Sequence, residues 1–190
     1  NDMAAIEQTV FSEYEVRAMY ATVGSDTCEV KCIGSLEEST DVITTSKKCR
    51  GVVVKKRTRG TGNGTLKVSL HIPWKLYMTL MGMDSDTLAD GVYGYGRNSI
   101  HKEFSLTADV FDEDDVEKFK AWPKCVMNAG PANKVENGSE EVAEIEAEIA
   151  FAPDDNGFGH YEALSAGLAE NIKSKWLTSF TPDLVKKVMA

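Results

Sequence analysis

The sequence predicts a mainly β fold: a β-sandwich or barrel with one packed flanking helix, a long hairpin and a partly helical C-terminal tail. Three observations carry this. Leu66, Val68, Leu70 and Ile72 alternate without a fault, and so do Phe104, Leu106, Ala108 and Val110, the period-two pattern of strands with one buried face. Between these runs Trp74, Tyr77, Met78 and Met81 recur at helical spacing. The 190 residues, 42% hydrophobic and 27% charged with 15 Gly and only 5 Pro, have the balance of one ordinary globular domain.

In chain order, residues 14–23 read as a strand with Tyr14, Val16, Ala18, Tyr20 and Thr22 on one face and Met19 and Ala21 softening the other, a pattern open to cover on both sides. Gly24, Ser25 and Asp26 mark a turn, and Cys28, Val30 and Cys32 begin a second strand. Residues 36–45 are polar but rich in Thr, Val and Ile, which suits an exposed strand. Val52, Val53 and Val54 open another extended stretch, and the glycines Gly60, Gly62 and Gly64 read as its turn. At Pro73 the period changes: proline suits a first helical position, and Gly82 is placed to end the helix. A helix this apolar must be buried, so Trp74, Tyr77, Met78 and Met81 are expected to face a sheet or a subunit contact, with Leu76 and Leu80 as a second stripe.

Beyond an Asp/Gly-rich connector and the strand at 103–111, residues 112–115 form an acidic turn. Residues 116–127 return as a strand in which Pro123 calls for an edge or a bulge. The longest loop is 128–140. In 140–151 the Glu and Ala content favours helix, yet Ala143, Ile145, Ala147, Ile149 and Phe151 alternate with Glu144, Glu146 and Glu148; the alternation predicts a strand with a carboxylate row on its other face. Leu164, Leu168, Ile172 and Trp176 recur every fourth residue, a C-terminal helix, and Thr181, Pro182 and Asp183 have the chemistry of a last short helix.

Little of this sequence reads as catalytic. The histidines His71, His101 and His160 stand apart. The Asp154–Gly157 stretch lacks the alternating ligands and closing Glu of a calcium loop and reads as an Asx-type turn; the Asp84, Asp86, Asp90 stretch fails because Leu88 occupies a ligand position. Residues 91–96 (GVYGYG) are neither a dinucleotide fingerprint nor a phosphate loop, and no nucleophile elbow or zinc-protease motif occurs. Cys28, Cys32, Cys49 and Cys125 form no CxxC, and in a strand Cys28 and Cys32 stand about 13 Å apart, too far to bridge, so four reduced, mostly buried thiols are expected. The reading is therefore not an enzyme, with no cofactor and no metal. No apolar run approaches the length of a membrane helix, and the first twenty residues, with Glu7, Glu13 and Glu15, do not resemble a secretory leader.

Charge is distributed more tellingly than it is summed. The formal net charge is −9, which opposes general binding to duplex DNA. Yet Lys47, Lys48, Arg50, Lys55, Lys56, Arg57 and Arg59 place seven of 21 basic residues within thirteen positions. Residues 103–148 hold thirteen acidic and four basic residues. A cationic arm on one copy meeting an anionic body on the next is a head-to-tail contact that closes into rings or runs on as a filament. No aromatic residue interrupts 47–59 to stack a base, which disfavours a nucleic-acid arm.

The order of these segments carries a resemblance. Residues 34–40 (GSLEEST) precede a long polar hairpin, the alternating strand at 66–72 and the apolar helix at 73–82 with Met83. Then come 90–96 (DGVYGYG), the strand at 103–111 and Pro123, Lys124 and Cys125. Over about residues 34–176 the chain resembles the major tail proteins, or tail tube proteins, of long-tailed phages. The resemblance implies a single tail-tube domain over 1–190, with an N-terminal arm at 1–12, a long hairpin arm at 41–64 and a C-terminal tail at 177–190. It implies a structural virion protein whose hexameric rings stack into the tube that conducts DNA into the host. Tube proteins of contractile tails, phage-tail-like bacteriocins and type VI-like injection systems are the alternative, and a β-sandwich binding module a further one. The implied partners are further copies of itself, tape measure protein, tail terminator and distal tail protein; DNA passes without sticking, and no membrane is engaged. The implied location is the virion tail, assembled in host cytoplasm. On this reading the seven basic residues at 47–59 are candidates for the inter-ring arm, and Glu144, Glu146 and Glu148 are candidates to line the lumen, where carboxylates repel phosphate.

Overall fold

The computed structural model describes residues 9–188; residues 1–8 of the expected N-terminal arm and 189–190 of the expected tail lie outside them. Eight antiparallel strands form one sheet: β1 (Glu15–Val23), β2 (Asp26–Val30), β3 (Cys32–Cys49), β4 (Val52–His71), β5 (Phe104–Phe111), β6 (Glu117–Met127), β7 (Ile145–Phe151) and β8 (Tyr161–Leu164). Their order is β2-β1-β5-β6-β7-β4-β3, with β8 paired to β6. The sheet curls until β1 and β3, from its two halves, lie side by side. Helix α1 (Trp74–Leu80) follows β4, and α2 (Glu170–Ser179) follows β8 through a 3₁₀ turn at Ser165–Gly167; a second 3₁₀ turn is at Pro182–Val185.

Inward residues of the curled sheet make the main core: Met19, Ala21, Leu66, Val68, Leu106, Val110, Trp122, Ile149 and Phe151 are all buried, Trp122 completely. Burying one such side chain stabilises the fold by about 1.5–3 kcal/mol. Helix α1 closes one mouth of the sheet, packing Leu76, Tyr77, Met78 and Leu80 into this core. It ends in a Schellman motif, Met83 N–H donating to Met78 O at 3.0 Å and Gly82 N–H to Thr79 O at 3.1 Å, with Gly82 at φ +63°. Helix α2 lies outside: Thr107 Oγ1 donates to Leu177 O at 2.7 Å, so the polar face of β5 is covered rather than solvated. Trp176, Phe119 and Ala121 form a second, smaller core beneath it.

Several expectations are corrected. Trp74, expected in the buried helical stripe, is 59% exposed, because it opens α1 at the rim and rests its edge on Tyr93; Tyr77, Met78 and Met81 are buried as expected, and Leu76 and Leu80 with them. In β1 a bulge between Val16 and Ala18 breaks the single face drawn from Tyr14 to Thr22: Val16 packs on the core, then Met19 and Ala21 point inward, and Ala18, Tyr20 and Thr22 are half-buried on the other side. Residues 60–64 are not the hairpin turn. They form a bulge inside β4, between the pairs Thr40–Gly64 and Val42–Gly60, tied by Thr61 Oγ1 donating to Asp41 O at 3.3 Å. The turn is Arg50–Gly51, both at positive φ (49° and 78°), the backbone a two-residue hairpin loop requires. Strand β7 begins only at Ile145, leaving Ala143 and Glu144 before it. Leu164 ends a strand and Leu168 precedes α2, so only Ile172 and Trp176 of the four-residue repeat are helical. Of the two places expected for Pro123, an edge or a bulge, it takes the bulge, in an interior strand: residues 118–121 of β6 pair with β8 and 125–127 with β7.

Candidate functional site

The sheet pairing fixes where the chain leaves its own core. Strand β4 pairs with β7 from Gly64 to Leu70 and with β3 from Val52 to His71. Residues 41–63 therefore form a two-stranded ribbon with no third strand beside it among the described residues, about 30 Å long at the rise of a β-strand. Such a ribbon is marginally stable alone in water. Cross-strand pairs Ile43–Arg59, Thr45–Arg57 and Lys47–Lys55 share one face, so Arg57, Arg59, Lys47 and Lys55 are brought together. The other face carries Lys48, Lys56 and the Thr44–Thr58 hydroxyl pair at 2.9 Å; Arg50 is in the turn. All seven cations are exposed, interspersed with Val42, Ile43, Val52, Val53 and Val54, which are exposed too.

The carboxylates of the β7 row are placed differently. Glu146 and Glu148 lie on the outward face of β7, and Glu144 precedes the strand beside Gly34. Lys67 of β4 sits opposite both Glu37 and Glu148, so acidic and basic groups alternate across β3, β4 and β7. Glu148 Oε1 also accepts from Asn128 Nδ2 at 2.8 Å. The row is thus interleaved with a cation from the neighbouring strand, which no reading along one strand reveals.

At the base of the arm the inward end of the sheet is filled by charge, a feature the sequence reading missed. Trp122 Nε1 donates to Glu38 Oε2 at 2.8 Å, and His160, stacked on the indole with centroids 5.4 Å apart, brings Nδ1 to 3.0 Å from Glu38 Oε1. Beside them Lys120 reaches Glu13 Oε1 at 2.5 Å, and Lys118 reaches Glu13 at 3.3 Å and Glu162 at 3.1 Å. Burial raises the Glu38 carboxyl, but the bond and charge of His160, the charge of Lys120 and the indole outweigh it and hold Glu38 below the usual carboxylate range. Burial likewise raises Glu13, and Lys120 and Lys118 more than reverse it. Both Glu38 oxygens are satisfied within the protein, so the cluster ties β3, β6, the segment before β8 and the segment before β1 together. The signal was present in spacing: Glu38 has the same parity as the core residue Leu36.

The remaining sequence candidates are structural. Asp154 Oδ1 accepts from the Asn156 and Phe158 N–H groups at 2.8 and 3.1 Å, and Oδ2 from Tyr161 OH at 2.5 Å; this is an Asx-type turn with its lone pairs in use. Its carboxylate, opposed by burial but held by Tyr161 and the backbone, lies below the ordinary range, while burial and that carboxylate push Tyr161 up to about 12. His71, the last residue of β4, is exposed. The four cysteines are free thiols but not mostly buried as expected: Cys32 and Cys49, on the outlying β3, are exposed, Cys28 is half-buried and Cys125 alone is buried.

At the mouth closed by α1, the connector after Gly82 folds back on the helix. Lys102 N–H donates to Leu80 O at 3.1 Å, Gly94 N–H to Met83 O at 3.0 Å, and Lys102 Nζ meets Asp84 at 2.9 Å. It encloses an open depression of about 570 Å³ lined by Asp84, Asp86 and Asp90 together with Leu88, Val92 and Ile100.

No family model and no curated protein matches the chain. Among solved structures it is similar to a chain of the anti-feeding prophage cap (AFP tube terminating cap) at 9% identity and TM-score 0.46, covering 86% of this chain and 99% of that one. It is similar to a chain of the anti-feeding prophage baseplate, 6-fold symmetrised, at 10% identity and TM-score 0.46, over 83% and 97% of the two chains. It is also similar to Hcp1 from Flavobacterium johnsoniae at 14% identity and TM-score 0.38, over 77% of this chain and 99% of that one.

Proposed function

We propose that this chain is a structural, non-enzymatic protein whose copies assemble into the tube of a phage tail or a tail-like injection particle. The observation that carries the reading is the ribbon at 41–63. Among the described residues it has no neighbouring strand, it sets Lys47 opposite Lys55, and it exposes valines, features that favour completion by a second surface. The segment order, which resembles that of tail tube proteins, supports another copy of the same chain as the source of that surface. In its finer form, rings of six copies stack through the arm. Glu144, Glu146 and Glu148 face a channel that passes DNA, and the ends of the tube meet a tape measure protein, a terminator and a distal tail protein. The finished assembly belongs to a virion tail built in the host cytoplasm.

The test is to reverse Lys55, Lys56, Arg57 and Arg59 to Glu in the full chain and examine it by negative-stain microscopy. The unmodified protein is expected to form rings or tubes, and the reversed one folded monomers with an unchanged circular-dichroism spectrum. Long tubes from the reversed protein at ordinary salt would remove the arm from the contact.

A further inference from the structure

The arm and the 82–102 depression belong to opposite ends of one strand. Strand β4 has 20 residues; the arm turn precedes its first, and α1 with the connector follows its last. At the rise of a strand this separates them by roughly 65 Å. We propose that the arm tip of one copy seats in the depression formed by the connector of a second copy, so that copies join head to tail. The inference rests on the tube reading above and names the surface the arm engages.

The two surfaces match in chemistry. The arm tip sets Val52, Val53 and Val54 among lysines. The depression sets Leu88, Val92 and Ile100, the last 80% exposed, beside Asp84, Asp86 and Asp90. Asp84 is already held by Lys102, whereas Asp86 and Asp90 make no ion pair among the described residues. At the arm's own end Glu13 and Glu162 are engaged by Lys118 and Lys120, and Asp115 by Arg17, while Glu113 and Asp114 stand exposed in the turn before β6. A basic apolar tip at one end and an acidic apolar seat at the other form a heterologous contact, which propagates instead of ending in a dimer.

Charge reversal tests this on the full chain. Asp86→Lys with Asp90→Lys should leave a folded monomer by circular dichroism and abolish sedimentable assemblies. Adding Lys55→Glu and Lys56→Glu to the same chain should restore them. Assembly that survives the aspartate reversal, while the arm reversal abolishes it, would overturn this seat and leave the tube reading standing. Assembly that survives both reversals, or an unmodified chain that stays monomeric at every ionic strength, would overturn both. A geometric check uses the exposed Cys49 at the tip: in a chain with Cys28→Ser, Cys32→Ser and Val92→Cys, oxidation of pelleted material should give a disulfide ladder that vanishes with Cys49→Ser. A ladder indifferent to Cys49 also overturns the seat.

Discussion

Lys47 stands directly opposite Lys55 across the two strands of the arm, on the face that also carries Arg57 and Arg59. Like charges in that relationship destabilise a strand pair. Lys55→Glu turns the pair into an attractive one and is expected to strengthen the isolated ribbon by about 0.2–1 kcal/mol, while weakening assembly. Amide exchange over 43–47 and 55–59 in the monomer should slow as sedimentable material falls. A variant that slows exchange and assembles as well as the parent would show that the cations serve no intermolecular contact.

Glu38 holds both the Trp122 indole and His160. Its carboxyl titrates lower when folded than when unfolded, so its contribution is present above its unfolded value near pH 4.3 and is lost as pH falls through the folded one. Glu38→Gln is expected to cost about 1–2 kcal/mol at pH 7 and to flatten the acid loss of stability. Urea denaturation at pH 7 and pH 3.5 measures both.

Asp109 behaves oppositely. Burial and the neighbouring Glu117 carboxylate push its carboxyl up to about 7, with Arg17 opposing, and its Oδ1 is buried without a hydrogen-bond partner. A raised carboxyl favours folding below its unfolded value and loses that advantage as pH climbs from about 4 to 7. Asp109→Asn should therefore stabilise the protein at pH 8, by about 1–2 kcal/mol because water reaches part of the pair, and leave stability at pH 4 nearly unchanged. Thermal melts across that range give the slope.

Gly82 sits at φ +63°, and a methyl group there would run into the Ile100 carbonyl. Gly82→Ala is expected to cost more than about 1 kcal/mol and to loosen the connector, seen as a lower urea midpoint and faster exchange at Lys102 N–H.

If Glu144, Glu146 and Glu148 face a channel as proposed, changing all three to Lys makes their surroundings basic, since Lys67 is already there. Assembly should persist while DNA passage slows, read as ejection from reconstituted particles. Unimpaired ejection would place these residues elsewhere.

The strands at 66–72 and 104–110 were legible in sequence because one face of each is fully committed to the core. Helix α1 was legible from its period, but Trp74 was not, since a terminal helical residue answers to the rim rather than to the stripe. The glycines at 60–64 misled because a bulge and a turn draw on the same residues, and the chain's own turn uses Arg50 at positive φ. Of the Glu38–Trp122–His160 cluster the sequence carried only the inward parity of Glu38: Glu38 and Trp122 are 84 residues apart, and the curling of the sheet unites them. The basic arm was legible as composition; that no third strand among the described residues pairs with it is a property of pairing alone.

Pro123, by dividing β6 between two partners, also divides the molecule's cooperativity. The first half of β6 carries β8, α2 and the small core of Phe119, Ala121 and Trp176, while the second half serves β7 and the large core. The C-terminal segment can consequently peel away as its own melting unit while the curled sheet survives, a lower rung on the ladder of partial openings than the global transition.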